Sequence, residues 1–554
     1  MTYVISEPQI MAAVATDVER IASAIIAANA AAAGPTSGLL APAADEVSTA
    51  ITNLFGAYSR EYQAVANHAA AFHNEFVRTL GAAGNAYANT EGANTAAIGG
   101  TSQAPSPQFT PISAELTLFT GPTGVPTPNS TYVTNANNLY IRSTNALQAL
   151  FTPEELYPLT GVKSLTLNSS VNEGLTILNS AITQQLQSPS NTLTVFGYSQ
   201  SAIIASLEMQ KLAAMGAAAP GANQLNFVLV GNEMNPNGGL LARFPGLSIP
   251  SLGLTFYGGT PADTIYPTNI YTLEYDGFAD FPQYPLNFVS DLNAVAGIIY
   301  VHTTYVNPFL GHPAVTPTQV DNAIALSTSP GYYTNGGVTH YYMMPTQNLP
   351  LLDPVRSIPV IGNPIADLLQ PDLRVLVNLG YGNPDFGWST GYANLTTPFG
   401  LAPHVGASIV LGDLAAGTQQ GIQAFKADLA TIHTTPITLP KFDPAFLTAF
   451  STPPVPSPVP PTPLNIANTI ASIISTDYGV LQPTADIALA LVTTVPAYDA
   501  TLFVGQLLQG NLINAIGYPI AADVGLATVA GLVEIDVIGS AVASNIADIK
   551  SLLP

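Results

Sequence analysis

The chain contains no cysteine. That absence excludes disulfides, cysteine-ligated zinc and thiol catalysis together. It does not assign a compartment, because a large domain can live outside the cell without disulfides. Charge is scarce too: 8% of the 554 residues are charged, against about 25% in an ordinary soluble domain. Basic residues are the rarest, 12 Lys and Arg against 34 Asp and Glu, for a net charge of −22. With no basic block, nucleic-acid binding is excluded as a working hypothesis. An anionic membrane surface would repel the chain, so any membrane or envelope contact has to be apolar. The opening "MTYVISEPQI" has no basic region before its apolar run, so no cleavable secretory signal is expected and export would need another route. There is no Walker-type loop, no Rossmann glycine fingerprint and no His/Glu metal motif, so neither cofactor nor metal is expected.

What is present is a change of hydrophobic period along the chain. Ile10, Val14, Val18, Ile21 and Ile25 share one face of a helix expected over 8–33. "GPTSGLLAP" at 34–42 breaks that pattern. Val47, Ile51, Leu54, Tyr58, Tyr62, Val65, Ala69, Phe72, Phe76 and Leu80 then set out a second, longer helix, with Asp45 as its N-cap. Residues 1–95 thus read as an antiparallel helical hairpin. Two helices enclose almost no interior, so the apolar stripe needs another surface: either the rest of this chain or a helical partner protein. A Gly/Ala/Asn/Ser/Pro-rich stretch closes this part, with 96–108 as linker.

From 109 to 445 short apolar runs alternate with helical patterns, the mark of an α/β domain with a mainly parallel sheet. "AELTLFTG", "SLTLNSS", "NTLTVFG", "LNFVLVGN" and "NIYTLEYDG" read as strands; "NANNLYIRSTNALQALF", "VNEGLTILNSAITQQLQ" and "SAIIASLEMQKLAAMG" read as helices. Residues 446–463 form a second linker, since "STPPVPSPVPPTP" carries seven prolines in thirteen residues. Residues 464–554 are apolar and helical in pattern. The 23 residues between Asp499 and Asp523 carry no charge, long enough to raise a membrane span. Gln506, Gln509, Asn511, Asn514 and Pro519 lie within them and favour a packed or interfacial segment, with a cover over an apolar cleft as a further option.

The candidate chemistry sits in "TVFGYSQSAIIAS", residues 194–206. A serine hydroxyl needs a base, a group that orients the base and donors for an oxyanion. In α/β hydrolases the nucleophilic serine occupies a tight strand-to-helix turn flanked by small residues, Gly-x-Ser-x-Gly. Here the turn is Gly197-Tyr198-Ser199-Gln200-Ser201, with serine at the last position. The fold's order is Ser, acid, His. Asp276 follows the strand "NIYTLEY" and is the expected acid, with Asp280 as the alternative. His302 ends the apolar run "LNAVAGIIYVH" and is the expected base, with His340 as the alternative. His68 and His73 are five apart, which misses a metal-binding helix spacing. The Gln200 N–H is the expected oxyanion donor, with Thr123 or Gly124 of "LTLFTGPTGVPTP" as the second.

Two resemblances add to this reading. "AAVATDVERIASAIIAANAAAAGPTSGLLAPAADEVSTAI" and "YQAVANHAAAFHNEFVRTLGAAGNAYANTE" resemble the PE domain of mycobacterial PE proteins, although the Pro-Glu pair behind that name falls here at Pro8 and Gln9. "GPTGVPTP", "GYSQS", "YDGFADFPQYPLN", "YVHTTY" and "NLPLLDPVR" resemble the PE-PPE domain, a serine α/β-hydrolase module related to cutinases. That likeness implies esterase or lipase chemistry with Ser199, an Asp of "YDGFADFP" and His302. Ser201 and the lack of cysteine depart from cutinases, which usually have glycine there and disulfides. The family further implies export by type VII secretion, for which Tyr87-Ala88-Asn89-Thr90-Glu91 fits the Tyr-x-x-x-Asp/Glu signal, and pairing with a PPE protein. The expected function is therefore exported hydrolysis of short- to medium-chain acyl esters. Acyl transfer to an envelope lipid would use the same residues, and a non-enzymatic envelope or host-interaction protein would use the fold as scaffold only.

Overall fold

A computed structural model describes residues 29–36, 52, 55, 56, 59, 63, 109, 111–431 and 458–552. Most of the expected hairpin, the 96–108 linker, Tyr87, Glu91, His68, His73 and the stretch 432–457 lie outside the described residues. Residues 29–36 are helical, so that helix continues two residues past the break expected at Gly34. The chain divides into two units, 1–108 and 109–554.

The centre of the second unit is a seven-stranded sheet. The strands are β1 (Glu115–Phe119), β2 (Ala146–Ala149), β3 (Thr192–Tyr198), β4 (Leu225–Val230), β5 (Thr268–Leu273), β6 (Ile324–Ala325) and β7 (Thr339–Met344). Their order is β2-β1-β3-β4-β5-β7-β6, and every pairing is parallel except that of β6 with β7. β3 and β4 are near-continuous apolar runs because helices cover both faces. Leu116, Leu118, Val195, Phe196, Leu229 and Val230 are fully buried, each contributing about 1.5–3 kcal/mol of apolar burial.

The main helices between the strands are α1 (Ser130–Ala136), α2 (Leu167–Gln185), α3 (Gln200–Met215) and α4 (Phe288–Tyr300). Two sequence expectations change here. "NANNLYIRSTNALQALF" is helical only to Ile141, where Arg142 takes a left-handed φ of 57° and the chain turns into β2. "SLTLNSS" is not a strand. The Thr166 hydroxyl accepts the Ser169 amide as an N-cap, and Leu167 begins α2, whose Leu167, Val171, Leu178 and Ile182 face the core. In a window this short, a helix start and a strand share the same alternation.

Five further helices follow: α5 (Gly362–Leu379), α6 (Ala407–Thr431), α7 (Pro463–Val492), α8 (Thr494–Leu508) and α9 (Leu512–Ser551). The C-terminal helices belong to the same compact unit as the sheet. The Tyr157 hydroxyl donates to Asp486 at 2.6 Å, Tyr518 packs on Phe399 with ring centres 5.3 Å apart, and Leu532 clusters with Ile298 and Ile299 of α4. Their other faces leave Leu464, Tyr478, Val492, Leu508 and Ile513 exposed. By length and composition, Pro463–Leu508 and Leu512–Ser551 could each cross a membrane.

Candidate active site

β3 ends at Tyr198, and α3 begins at Gln200, so the reversal falls on Ser199 alone. Ser199 has φ 59° and ψ −128°, a conformation that side chains other than glycine rarely adopt and that surrounding structure has to hold. Two small residues hold it. A Cβ on Gly197 would lie 2.9 Å from the Ser201 carbonyl oxygen and 3.1 Å from the Ala202 Cα, so only glycine lets strand and helix approach this closely. The Ser201 hydroxyl accepts the Tyr198 amide at 2.9 Å and donates to the Tyr198 carbonyl at 3.0 Å. Its hydroxyl thus ties the turn to the strand.

His302 follows α4 on a short turn, and its ring reaches both neighbours. Nε2 lies 2.8 Å from the Ser199 Oγ, and Nδ1 lies 2.9 Å from each oxygen of Asp276. An ionised carboxylate only accepts, so Nδ1 carries the proton and Nε2 is left to accept from serine. Asp276 is held in turn by the amides of Phe278 and Ala279 and by the Tyr305 hydroxyl, which donates to Oδ2 at 2.8 Å. Tyr305 accepts the Leu273 amide at 2.7 Å, tying the acid's support back to β5. The His302 carbonyl accepts from the Tyr198 hydroxyl, and the Phe278 and His302 rings form a T-shaped pair with centres 4.8 Å apart.

Ser199, Asp276 and His302 are all buried. Burial alone would push the imidazole down. The Asp276 charge, its hydrogen bond and the Glu233 charge outweigh that, and His302 lies above its ordinary value.

The two alternatives stand elsewhere. Asp280 accepts the Tyr275 amide at 3.2 Å and faces the fully buried Arg243; burial pushes its carboxyl up and Arg243 pulls it back. His340 pairs in register with Asn269 near the start of β5, at the opposite end of the strands from Ser199. It is exposed and stacks on Tyr333 with ring centres 5.1 Å apart.

Of the expected oxyanion donors, the Gln200 N–H sits at the first position of α3 and has no intrahelical acceptor. The Gln200 side chain is anchored by Ser170 and the Glu155 carbonyl, and reaches the Thr123 hydroxyl at 3.4 Å. Gly124 is unsuited to the role, because its amide is already given to the Glu154 carbonyl at 2.7 Å. That leaves Thr123 beside the turn.

One residue at the site went unread in the sequence. Glu233 follows β4 within "GNEMN", and its Oε1 lies 3.0 Å from the Ser199 Oγ. The available signal was its place just past the carboxyl end of a strand next to β3, the position that gives Ser199 and Asp276 their prominence. A separate cavity of about 220 Å³ is lined by Tyr300, His312, Thr316 and Asp353 among others; neither Ser199 nor Glu233 lines it. No cluster suited to a metal ion occurs among the described residues.

The PE family model matches residues 4–94 and the PE-PPE domain model residues 143–382. The chain is 46% identical to the PE family protein PE3 of Mycobacterium tuberculosis over 435 residues, covering 76% of this chain and 88% of that one. It is 43% identical to Esterase PE16 of the same organism over 437 residues, covering 78% of each. It is also 46% identical to the PPE family protein PPE28 over 458 residues, covering 79% of this chain and 67% of that protein. A cutinase-like protein from Cryptococcus sp. aligns over 30% of this chain and 78% of its own, at 19% identity and a TM-score of 0.21.

Proposed function

Since the chain belongs to the PE family and carries a PE-PPE domain, we propose that it is an exported serine esterase that hydrolyses short- to medium-chain acyl esters. The observation that carries this reading is the continuous hydrogen-bonded line from Ser199 Oγ through the His302 ring to Asp276, with links of 2.8 and 2.9 Å. In this reading His302 takes the Ser199 proton as the oxygen attacks the ester carbonyl. Asp276 holds the imidazole in the required tautomer and stabilises its charged form. The Gln200 N–H and Thr123 receive the oxyanion. The alcohol leaves with the proton from His302, and water, activated by the same ring, releases the acid.

The relative named as an esterase supports the reaction class. The PE match over 4–94 supports export by type VII secretion and pairing with a PPE protein. The deciding experiment is hydrolysis of a p-nitrophenyl ester series by the full chain and by Ser199→Ala, with fluorophosphonate labelling as the covalent readout. The parent protein should turn over the shorter esters and take up the label, and the variant should do neither. Equal activity in the two proteins would end the proposal. Acyl transfer in place of hydrolysis would appear in the same assay as acylated product when a lipid alcohol is added.

A further inference from the structure

Ser199 has one hydroxyl proton and two acceptors within reach. His302 Nε2 lies 2.8 Å from Oγ on one side and Glu233 Oε1 lies 3.0 Å on the other. Only one of the two can take the proton at a time. If Glu233 is a carboxylate, it offers the charge-assisted, stronger bond, and the hydroxyl turns away from the base. If Glu233 is a neutral acid, its own O–H can donate to Oγ, and the serine proton is left for His302.

Glu233 has few other attachments. It is buried, and its second oxygen has no hydrogen-bond partner among the described residues. A carboxylate in a structural role would normally have both oxygens satisfied. The groups facing it come from four elements: Ser199 and Tyr198 at the end of β3, Asp276 after β5, His302 after α4, and Glu154 in the loop after β2. Two of these are carboxyl groups that oppose a further negative charge, and His302 is the one cation among them when protonated. Burial raises the Glu233 carboxyl to about 7, against the pull of His302, of its own backbone amide and of the Ser199 hydrogen bond. Its two forms therefore exchange within the working range of a serine hydrolase.

We propose that Glu233 is a further catalytic group of this site: as a neutral acid it donates to Ser199 Oγ and directs the serine proton to His302, and as a carboxylate it captures that proton and silences the nucleophile. This rests on the reading of Ser199 as nucleophile. During attack the Ser199 proton passes to His302 Nε2 while the Glu233 O–H stays in place. After that proton has left with the alcohol, His302 takes another from the attacking water and passes it to Oγ as the acyl group is released, again without loss from Glu233. Because His302 and Glu233 interact, they titrate as a pair. The active form holds one proton, on Glu233. Adding a second protonates the base, and removing the first turns the serine away.

The test is the pH dependence, from 5.5 to 9.5, of fluorophosphonate labelling and of kcat/KM for the full chain. The parent rate should pass through a maximum and fall above about pH 7, approaching tenfold per pH unit as expected for one ionisation. Glu233→Gln keeps a donor at every pH and should hold its rate to pH 9. If that variant fails to fold, Glu233→Met, neutral and of similar length, should also lose the alkaline fall, at a lower plateau. A parent profile that stays flat to pH 9.5, or a fall with the same midpoint in both variants, overturns the proposal. Ser199→Ala separates the two levels. If it still labels or turns over, the serine reading itself fails. If it is silent while Glu233→Gln keeps the parent profile, only the role of Glu233 fails.

Discussion

The amide of Asp280 donates to the carbonyl of Asp276 at 2.6 Å, and the carboxylates leave this one tight turn for different partners. Asp276 meets His302, whereas Asp280 meets the Tyr275 amide and the field of the buried Arg243. The substitutions should separate cleanly. Asp276→Asn should lower kcat by roughly 10³–10⁴, the cost of losing the acid that fixes the histidine tautomer. Asp280→Asn should leave kcat within about threefold but lower stability by about 3 kcal/mol, because it strips the counter-charge from a buried guanidinium. Steady-state kinetics and urea unfolding on the same preparations check both halves; a larger kcat loss for Asp280→Asn would reverse the assignment.

Most of this site was legible because its signals are local. Gly197, Ser199 and Ser201 sit within five residues between an apolar strand and a helix, and such a junction has few other uses. Asp276 and His302 could be named from chain order and from the apolar runs that precede them. Glu233 was not legible in the same way, since what brings it to Ser199 is the lateral pairing of β3 with β4, register included. Gly124 misled for a similar reason. Its amide is taken by the carbonyl of Glu154, a residue with a left-handed φ of 52° thirty positions along the chain, which no motif announces. The C-terminal helices were read correctly as helices, but composition could not say which surface they cover. That depends on particular contacts such as Tyr157 with Asp486.

Tyr305 links the acid to the sheet, donating to Asp276 Oδ2 at 2.8 Å while accepting the Leu273 amide at 2.7 Å. Tyr305→Phe removes both bonds and leaves a buried amide unpaired, at a cost of about 1–3 kcal/mol. It also removes one donor that stabilises the Asp276 carboxylate. Stability should fall by that amount and kcat by roughly tenfold, with KM little changed. Loss of stability at full kcat would make Tyr305 a packing residue only.

Ser201 and Gly197 support the turn by different means, and their substitutions should differ accordingly. Ser201→Gly removes the two bonds to Tyr198 but restores a residue the turn accepts. It should cost about 1–2 kcal/mol and leave the labelling rate of Ser199 within about threefold. Gly197→Ala drives a methyl against the Ser201 carbonyl and the Ala202 Cα, backbone atoms that cannot yield separately. That variant should lose labelling altogether, even where circular dichroism shows a folded chain. Normal labelling of Gly197→Ala would mean that the turn is looser than its contacts imply.

Asp291, in the first turn of α4, is fully buried, and neither carboxylate oxygen has a hydrogen-bond partner among the described residues. Burial raises its carboxyl to about 8, whereas an unfolded chain would ionise it near 4. Below about pH 4 it is protonated in both states and has no effect on stability. As pH rises from 4 to 8, the unfolded state releases the proton while the folded state keeps it, so the folded state loses ground; above 8 the penalty is constant. These two values cap the penalty at roughly 5 kcal/mol. Asp291→Asn removes the ionisation and keeps the shape. Its Tm relative to the parent should therefore climb between pH 4 and 8 and level off beyond, whatever its offset at pH 4. Thermal unfolding at pH 4.5, 6, 7.5 and 9 measures that slope directly. A Tm difference that does not change with pH would mean that Asp291 ionises in the folded protein much as it does in water.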